Sequence, residues 1–152
     1  MTAEDFKALA TNRRAYHDYH ILEKFEAGIA LLGSEVKSIK EGHVSLNEAY
    51  AAVSGGRLIL HSLHVQPYAK ARIEQHDPIR AKQLLLHKAE INRLVGQTTI
   101  KGHTLVPLRV YVKRGLIKVE IGLAKGKLLS DKRETLRRKT ADREMARAVK
   151  NR

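Results

Sequence analysis

Apolar and polar residues alternate through residues 19–31: Tyr19, Ile21, Phe25, Ala27, Ile29 and Leu31 share one face, with Glu23 as the polar exception. His20, Lys24 and Glu26 take the other face. A period of two kept up this long predicts a half-buried strand, with Gly28 as a place for it to bend. Ser34 is positioned to cap a short helix that turns Val36 and Ile39 inward and stops at Gly42. Segments 46–53 and 58–65 flank Ser54-Gly55-Gly56 and predict a hairpin. A second hairpin is clearer: Val106, Leu108, Val110 and Val112 alternate, Arg114-Gly115 turns, and Ile117, Val119, Ile121 and Leu123 alternate back. Between the hairpins, Asp77-Pro78 reads as a cap with proline at the first helical position. Residues 87–95 then put Ile91, Leu94 and Val95 on one face, with Gly96 as the stop.

Five or six strands and two to three short helices predict a mainly β domain, a closed antiparallel barrel of the oligonucleotide-binding (OB) type. A ferredoxin-like α+β sandwich is the alternative. The expected organisation is an N-terminal extension at 1–11, the barrel at 12–129 and a basic tail at 130–152.

Charge changes the picture at the C-terminus. The chain of 152 residues carries a formal +13, and residues 124–152 hold eleven Lys or Arg against four Asp or Glu, a net of +7. From Ser130 on there is no Pro or Gly, and the apolar stripe is thin: Leu136, Ala141, Met145, Ala148 and Val149. Acids in the first turn, Asp131 and Glu134, suit a helix N-terminus. Lys132, Arg133, Arg137, Arg138 and Lys139 repel one another unless an external anion is present. The tail is therefore expected to be helical when bound to phosphates and disordered alone. A nucleic acid is the partner this charge implies.

Other chemistries find less support. No run approaches the roughly 18 apolar residues of a spanning helix. The opening Met1-Thr2-Ala3-Glu4-Asp5 lacks the basic and apolar regions of a signal peptide, so a cytoplasmic monomer without membrane contact is expected. The absence of cysteine removes disulfides and thiolate metal sites. His17 with His20, and His61 with His64, are three apart; on extended chain that spacing sends the rings to opposite faces, so no metal site is expected. Glu23, Glu26 and Glu35 lack an accompanying nucleophile. Gly122-Leu123-Ala124-Lys125-Gly126-Lys127 approaches a phosphate loop but meets Leu128 where a hydroxyl must hold magnesium. No enzyme and no cofactor are expected.

Several blocks together resemble the SmpB family of small proteins that bind transfer-messenger RNA (tmRNA) in bacterial ribosome rescue. They are Asn12-Arg13-Arg14-Ala15-Tyr16-His17-Asp18-Tyr19, Glu26-Ala27-Gly28-Ile29-Ala30-Leu31, Gly33-Ser34-Glu35-Val36-Lys37-Ser38, Asp77-Pro78-Ile79-Arg80, Leu84-Leu85-Leu86, the glycine-lysine block at 122–127, and Asp131-Lys132-Arg133-Glu134. They occur in family order. The resemblance implies an OB-type barrel that grips the transfer-RNA-like domain of tmRNA near its elbow. It also implies a tail that lies as a helix in the vacant message channel of a stalled ribosome, beside the 16S rRNA decoding centre. Elongation factor Tu would deliver the charged RNA.

By position, the resemblance implies RNA binding for Asn12, Arg13, Arg14, Tyr19, Glu26, Gly28, Lys37, Leu84, Leu85, Leu86, Lys125 and Lys127. It implies ribosomal function for Gly126, Asp131, Lys132 and Arg133, and the tail's charge adds Arg137, Arg138, Lys139 and Arg143 to the residues expected to meet the ribosome. Elbow loops expose bases and 2′-hydroxyls that aromatic and hydrogen-bonding groups can read, and Glu26 could accept from a base amine or sugar hydroxyl. At least one of the three leucines is expected in the core. Many relatives carry an aromatic or His just before Asp-Lys-Arg; Ser130 cannot stack, so hydrogen bonding or backbone contact is expected there. Two rival readings are a structural ribosomal or RNA-chaperone protein with a basic tail, and an RNA-processing enzyme using the carboxylates and histidines.

Overall fold

The computed structural model describes residues 6–68, 76–127 and 129–150, with side chains throughout except at 129–132, 134, 135 and 148–150. Among the described residues the chain forms nine strands and four helices. The strands are β1 (Phe6–Thr11), β2 (Tyr19–Ile29), β3 (Val44–Ser45), β4 (Tyr50–Ser54), β5 (Arg57–His61), β6 (His64–Val65), β7 (Lys82–Leu85), β8 (His103–Lys113) and β9 (Leu116–Gly126). The helices are α1 (Arg13–Asp18), α2 (Gly33–Lys40), α3 (Lys88–Thr98) and α4 (Leu129–Lys150).

Seven strands make one antiparallel sheet in the order β1-β8-β4-β5-β7-β2-β9, and β8 also pairs with β9. The two longest ladders join β9 to both β2 and β8, as the alternating sequences require. Phe25, Ala27, Leu58, Leu60, Leu84, Val110, Val119 and Ile121 point to one side and meet Ile39 of α2 and Leu94 of α3 in the main core. A smaller core of Ala15, Val106, Leu108 and Ala124, flanked by Tyr19 and Ile21, seats α1 on the sheet.

The long strand forms as its alternation requires, and Glu23 has a physical explanation. A register shift between Ile21 and Glu23 marks a bulge in β2, and Glu23 accepts a hydrogen bond from Arg93 at 2.7 Å. Both hairpins also form. Gly55 and Gly56 have φ of 58° and 74°, and Arg114 and Gly115 have 51° and 79°. These positive values suit two-residue turns that match the strand twist.

Other expectations need correction. Residues 6–11 of the expected N-terminal extension are β1, paired to β8. The α1 helix places His17 on helical chain, where an extended segment was expected. Ser34 does not cap α2. The Leu32 N–H is instead satisfied by the Glu35 carboxylate at 2.8 Å, while Ser34 Oγ meets His76 Nδ1 at 2.9 Å. Asp77-Pro78 opens a turn, with Asp77 Oδ1 accepting from Ile79 N at 3.0 Å, and the chain then enters β7. Helix α3 runs through Gly96 to Thr98, and Val95 lies on its exposed side.

Candidate nucleic-acid interface

Asn12 organises the first of two surfaces. Its carboxamide oxygen accepts from Ala15 N at 3.2 Å and caps α1. Its amide donates to Pro107 O at 2.9 Å, and its backbone N–H donates to Leu108 O at 2.8 Å. With both ends of the amide engaged inside the protein, Asn12 fixes where α1 sits. Because Ala15 faces the small core, Arg13 and Arg14 face solvent. Arg14 lies 3.4 Å from Asp18 on an otherwise open helix face.

Tyr19 opens β2 and pairs with Gly126, while His20 pairs with Lys125. The ammonium of Lys24 lies 5.5 Å from the ring centre of Tyr16, which is itself exposed. A polar cleft of about 220 Å³ runs between α1, residues 47–50 and β8, with Tyr19 and Tyr50 in its walls. Cationic side chains and tyrosines are thus interleaved around α1, an arrangement suited to a phosphate backbone with unstacked bases.

A second surface lies on the outer face of β7, β2, β9 and β8. Glu26 is about 23 Å from Tyr19 along β2, at roughly 3.3 Å per residue. It accepts hydrogen bonds from the Tyr111 hydroxyl and from Lys113 Nζ at 3.3 Å. The Tyr111 hydrogen bond and the Lys113 charge hold its carboxyl below the usual carboxylate range, against the opposing effect of burial. Burial and the Glu26 carboxylate in turn push the Tyr111 phenol up. Glu26 also stands directly opposite Glu120 in the ladder. That like-charge pair costs stability, and Lys113 and the Arg109–Glu120 ion pair at 2.9 Å offset it. Gly28 continues this face. A Cβ added there would meet Leu85 Cβ at 3.3 Å, so the Leu85 side chain lies against the glycine.

The three leucines separate cleanly. Leu84 is core, Leu86 packs partly buried against the core, and Leu85 is half exposed. Gly28, Glu26 and Leu85 therefore come together, while Asn12, Arg13, Arg14, Tyr19, Lys125 and Lys127 gather at the other end of β2. Lys37 joins neither group; it sits on α2 with its ammonium 5.6 Å from the Tyr68 ring centre. Gly122 through Lys125 are strand paired on both sides and Gly126 pairs with Tyr19, so no phosphate loop exists there. Sequence reasoning missed Arg109, Tyr111 and Lys113, which form a period-two row on β8 opposite the apolar stripe. That alternation was the available signal.

The tail is a 22-residue helix, α4, and its described side chains are exposed. The helix expected for the bound tail is the conformation it has here. Arg133, Arg137, Arg138, Lys139 and Arg143 all lie on it and face solvent. Asp131 and Lys132 belong to its first turn, but their side chains, like that of Ser130, lie outside the described residues. Just before it, Lys127 donates its backbone N–H to Asp18 O at 2.9 Å and its Nζ to Tyr16 O at 3.1 Å. Those carbonyls end α1, so the root of the tail is fastened to the helix that carries Arg13 and Arg14.

Two further facts bound the chemistry. Among the described residues no group of three or more His, Asp or Glu side chains is placed to hold a metal ion. No helix there is long and apolar enough to cross a membrane.

The sequence profile of the family described as SmpB protein matches residues 9–151. The SsrA-binding protein of Caldicellulosiruptor saccharolyticus is 52% identical over 147 residues, 97% of this chain and 93% of the relative. That of Geobacter sulfurreducens is 50% identical over 144 residues, covering 95% and 94%. A solved structure described as "tmRNA-SmpB: a journey to the center of the bacterial ribosome" is 48% identical. It has a TM-score of 0.65 and covers 84% of this chain and 94% of its own. On the profile match and on identity at this level across nearly the whole length, the chain belongs to the SmpB family.

Proposed function

We propose that this chain is the tmRNA-binding protein of trans-translation in the bacterial cytoplasm. Its body binds the transfer-RNA-like domain of tmRNA. Its tail enters the vacant message channel near the 16S rRNA decoding centre, so that ribosomes stalled on messages without a stop codon are rescued. Elongation factor Tu is reached through the charged RNA. The observation that carries this reading is the near full-length identity to SsrA-binding proteins, and the tyrosine-and-cation surface around α1 has the chemistry the role requires.

Within this reading the body ends near residue 129 and the tail begins at 130. The sheet is a closed OB-type barrel, supported by pairing that runs from β8 through β4, β5, β7, β2 and β9 back to β8. The two surfaces along β2 hold the RNA together, with Glu26 kept ionised as an acceptor and Leu85 as an apolar contact. The protein acts by binding and not by catalysis; incubating it with RNA and magnesium should give no cleavage, with or without Glu26→Gln.

The deciding experiment is binding to the isolated acceptor domain of tmRNA and to ordinary transfer RNA over a series of salt concentrations. The acceptor domain should bind tighter throughout. The log of its affinity should fall linearly with log salt, at about 0.7–0.9 per phosphate neutralised. Equal affinity for both RNAs would favour the RNA-chaperone alternative.

A further inference from the structure

Tyr50 opens β4 directly opposite His61 on β5. The two rings stack, with centres 5.0 Å apart and planes 19° from parallel. One face of the tyrosine is thus covered by the imidazole, yet the residue remains 53% exposed. What is open is the opposite face and the ring edge. An aromatic side chain of this size normally buries itself, so a half-bare ring propped by a second ring needs a reason.

The surroundings supply one. Tyr50 lines the same cleft as Arg14, Asp18, Tyr19 and Asn47. Arg14 is exposed over 85% of its side chain, and a guanidinium carries five N–H donors, which suits an anion at the cleft mouth. Residues 104–107 of β8 line the cleft as well. A ring platform, polar walls and a cation at the rim match a flat heteroaromatic group joined to phosphate. They match a purely apolar ligand poorly. Helix α1 and its capping amide hold this wall rigidly, so the site is formed before anything enters.

From this geometry we propose that the cleft beside α1 is a nucleobase subsite, in which one unstacked base of the bound RNA lies on the open face of Tyr50 while Arg14 meets an adjoining phosphate. This rests on the RNA-binding reading above and adds to it a site at Tyr50, His61 and Asn47. Stacking is tolerant of base identity because every base has a π-face, so the subsite contributes affinity for an unpaired nucleotide and little sequence choice.

Stacking and phosphate contact leave different marks on salt dependence, and the test uses that difference. Tyr50→Thr keeps a strand-forming residue but removes the ring, and Tyr50→Phe keeps the ring without its hydroxyl. Binding of the full chain to the tmRNA acceptor domain is measured for both, and for Arg14→Gln, across a salt series. Tyr50→Thr should weaken binding roughly 5- to 100-fold with an unchanged salt slope, and Tyr50→Phe should restore it. Arg14→Gln should flatten the slope by about 0.7–0.9. If Tyr50→Thr, folded by thermal unfolding, binds as the unmodified chain does, the subsite does not exist, even though the wider RNA-binding reading survives. If the unmodified chain itself has no preference for the acceptor domain, the RNA-binding reading fails instead.

Discussion

Glu35 and Lys82 are charged side chains with no solvent exposure, and their pairing is the most demanding residue-scale feature of this chain. The Glu35 carboxylate receives Arg80 at 2.6 Å, the Leu32 N–H at 2.8 Å and Lys82 at 3.4 Å. Lys82 also reaches the carbonyls of Arg80 at 2.6 Å and Leu63 at 3.4 Å. Burial raises the carboxyl, but Arg80, the Leu32 amide and Lys82 together outweigh it and hold it below the usual value. Burial also pushes the Lys82 ammonium down, with Glu35 opposing. Removing one member of such a set strands the other, at a cost of about 3–5 kcal/mol. An exposed pair such as Arg14–Asp18 is worth at most about 1 kcal/mol. Glu35→Gln should therefore lower unfolding stability by several kcal/mol in urea titrations at pH 7. A carboxyl depressed on folding stabilises above its unfolded value and loses that contribution as pH falls through its folded value. The deficit of Glu35→Gln should thus be constant down to about pH 5 and shrink below about pH 4. A deficit that stays unchanged at pH 3 would mean the carboxylate charge is not what holds α2 to β7.

At the scale of elements, what could be read from the sequence divides by whether the signal was local. The β4–β5 and β8–β9 hairpins were legible because strand alternation and turn glycines lie within a few residues of each other. The six-residue α1 was not: its cap residue Asn12 is adjacent, but the β8 carbonyl of Pro107 that anchors that amide is 95 residues away. Asp77-Pro78 misled because the same pair opens a turn as readily as a helix. Glu26 sits on the polar face of its alternating strand with His20 and Lys24, so the pattern alone did not set it apart; the resemblance did. Tyr111 escaped notice because its partner lies across the sheet. Lys127 shows the same limit, since the ammonium assigned by resemblance to RNA lies on the Tyr16 carbonyl at the end of α1. Lys127→Met should leave the salt slope of RNA binding unchanged. It should also broaden the distance distribution between spin labels on the body and on residue 143. A slope flattened by about 0.7–0.9 would return Lys127 to the RNA surface.

For the whole molecule, the arrangement of charge separates two tasks. The chain's +13 is shared between a folded body and a helix whose described side chains are exposed. A stretch of 22 residues with so few apolar positions gains little by packing, so its cations remain available to an outside anion. The tail leaves the body beside α1, next to the surface proposed to bind RNA, and its described arginines are exposed. If the body alone grips the acceptor domain, a chain ending at Ser130 should keep that affinity within about threefold and keep the same salt slope, because no phosphate contact has been lost. The same truncated chain should fail to support tagging of nascent peptides on ribosomes stalled at the end of a message. Parallel loss of RNA affinity and tagging would mean that the tail folds onto the RNA and that the two parts act as one surface. Loss of tagging alone would assign the body to choosing the RNA and the helix to the ribosome.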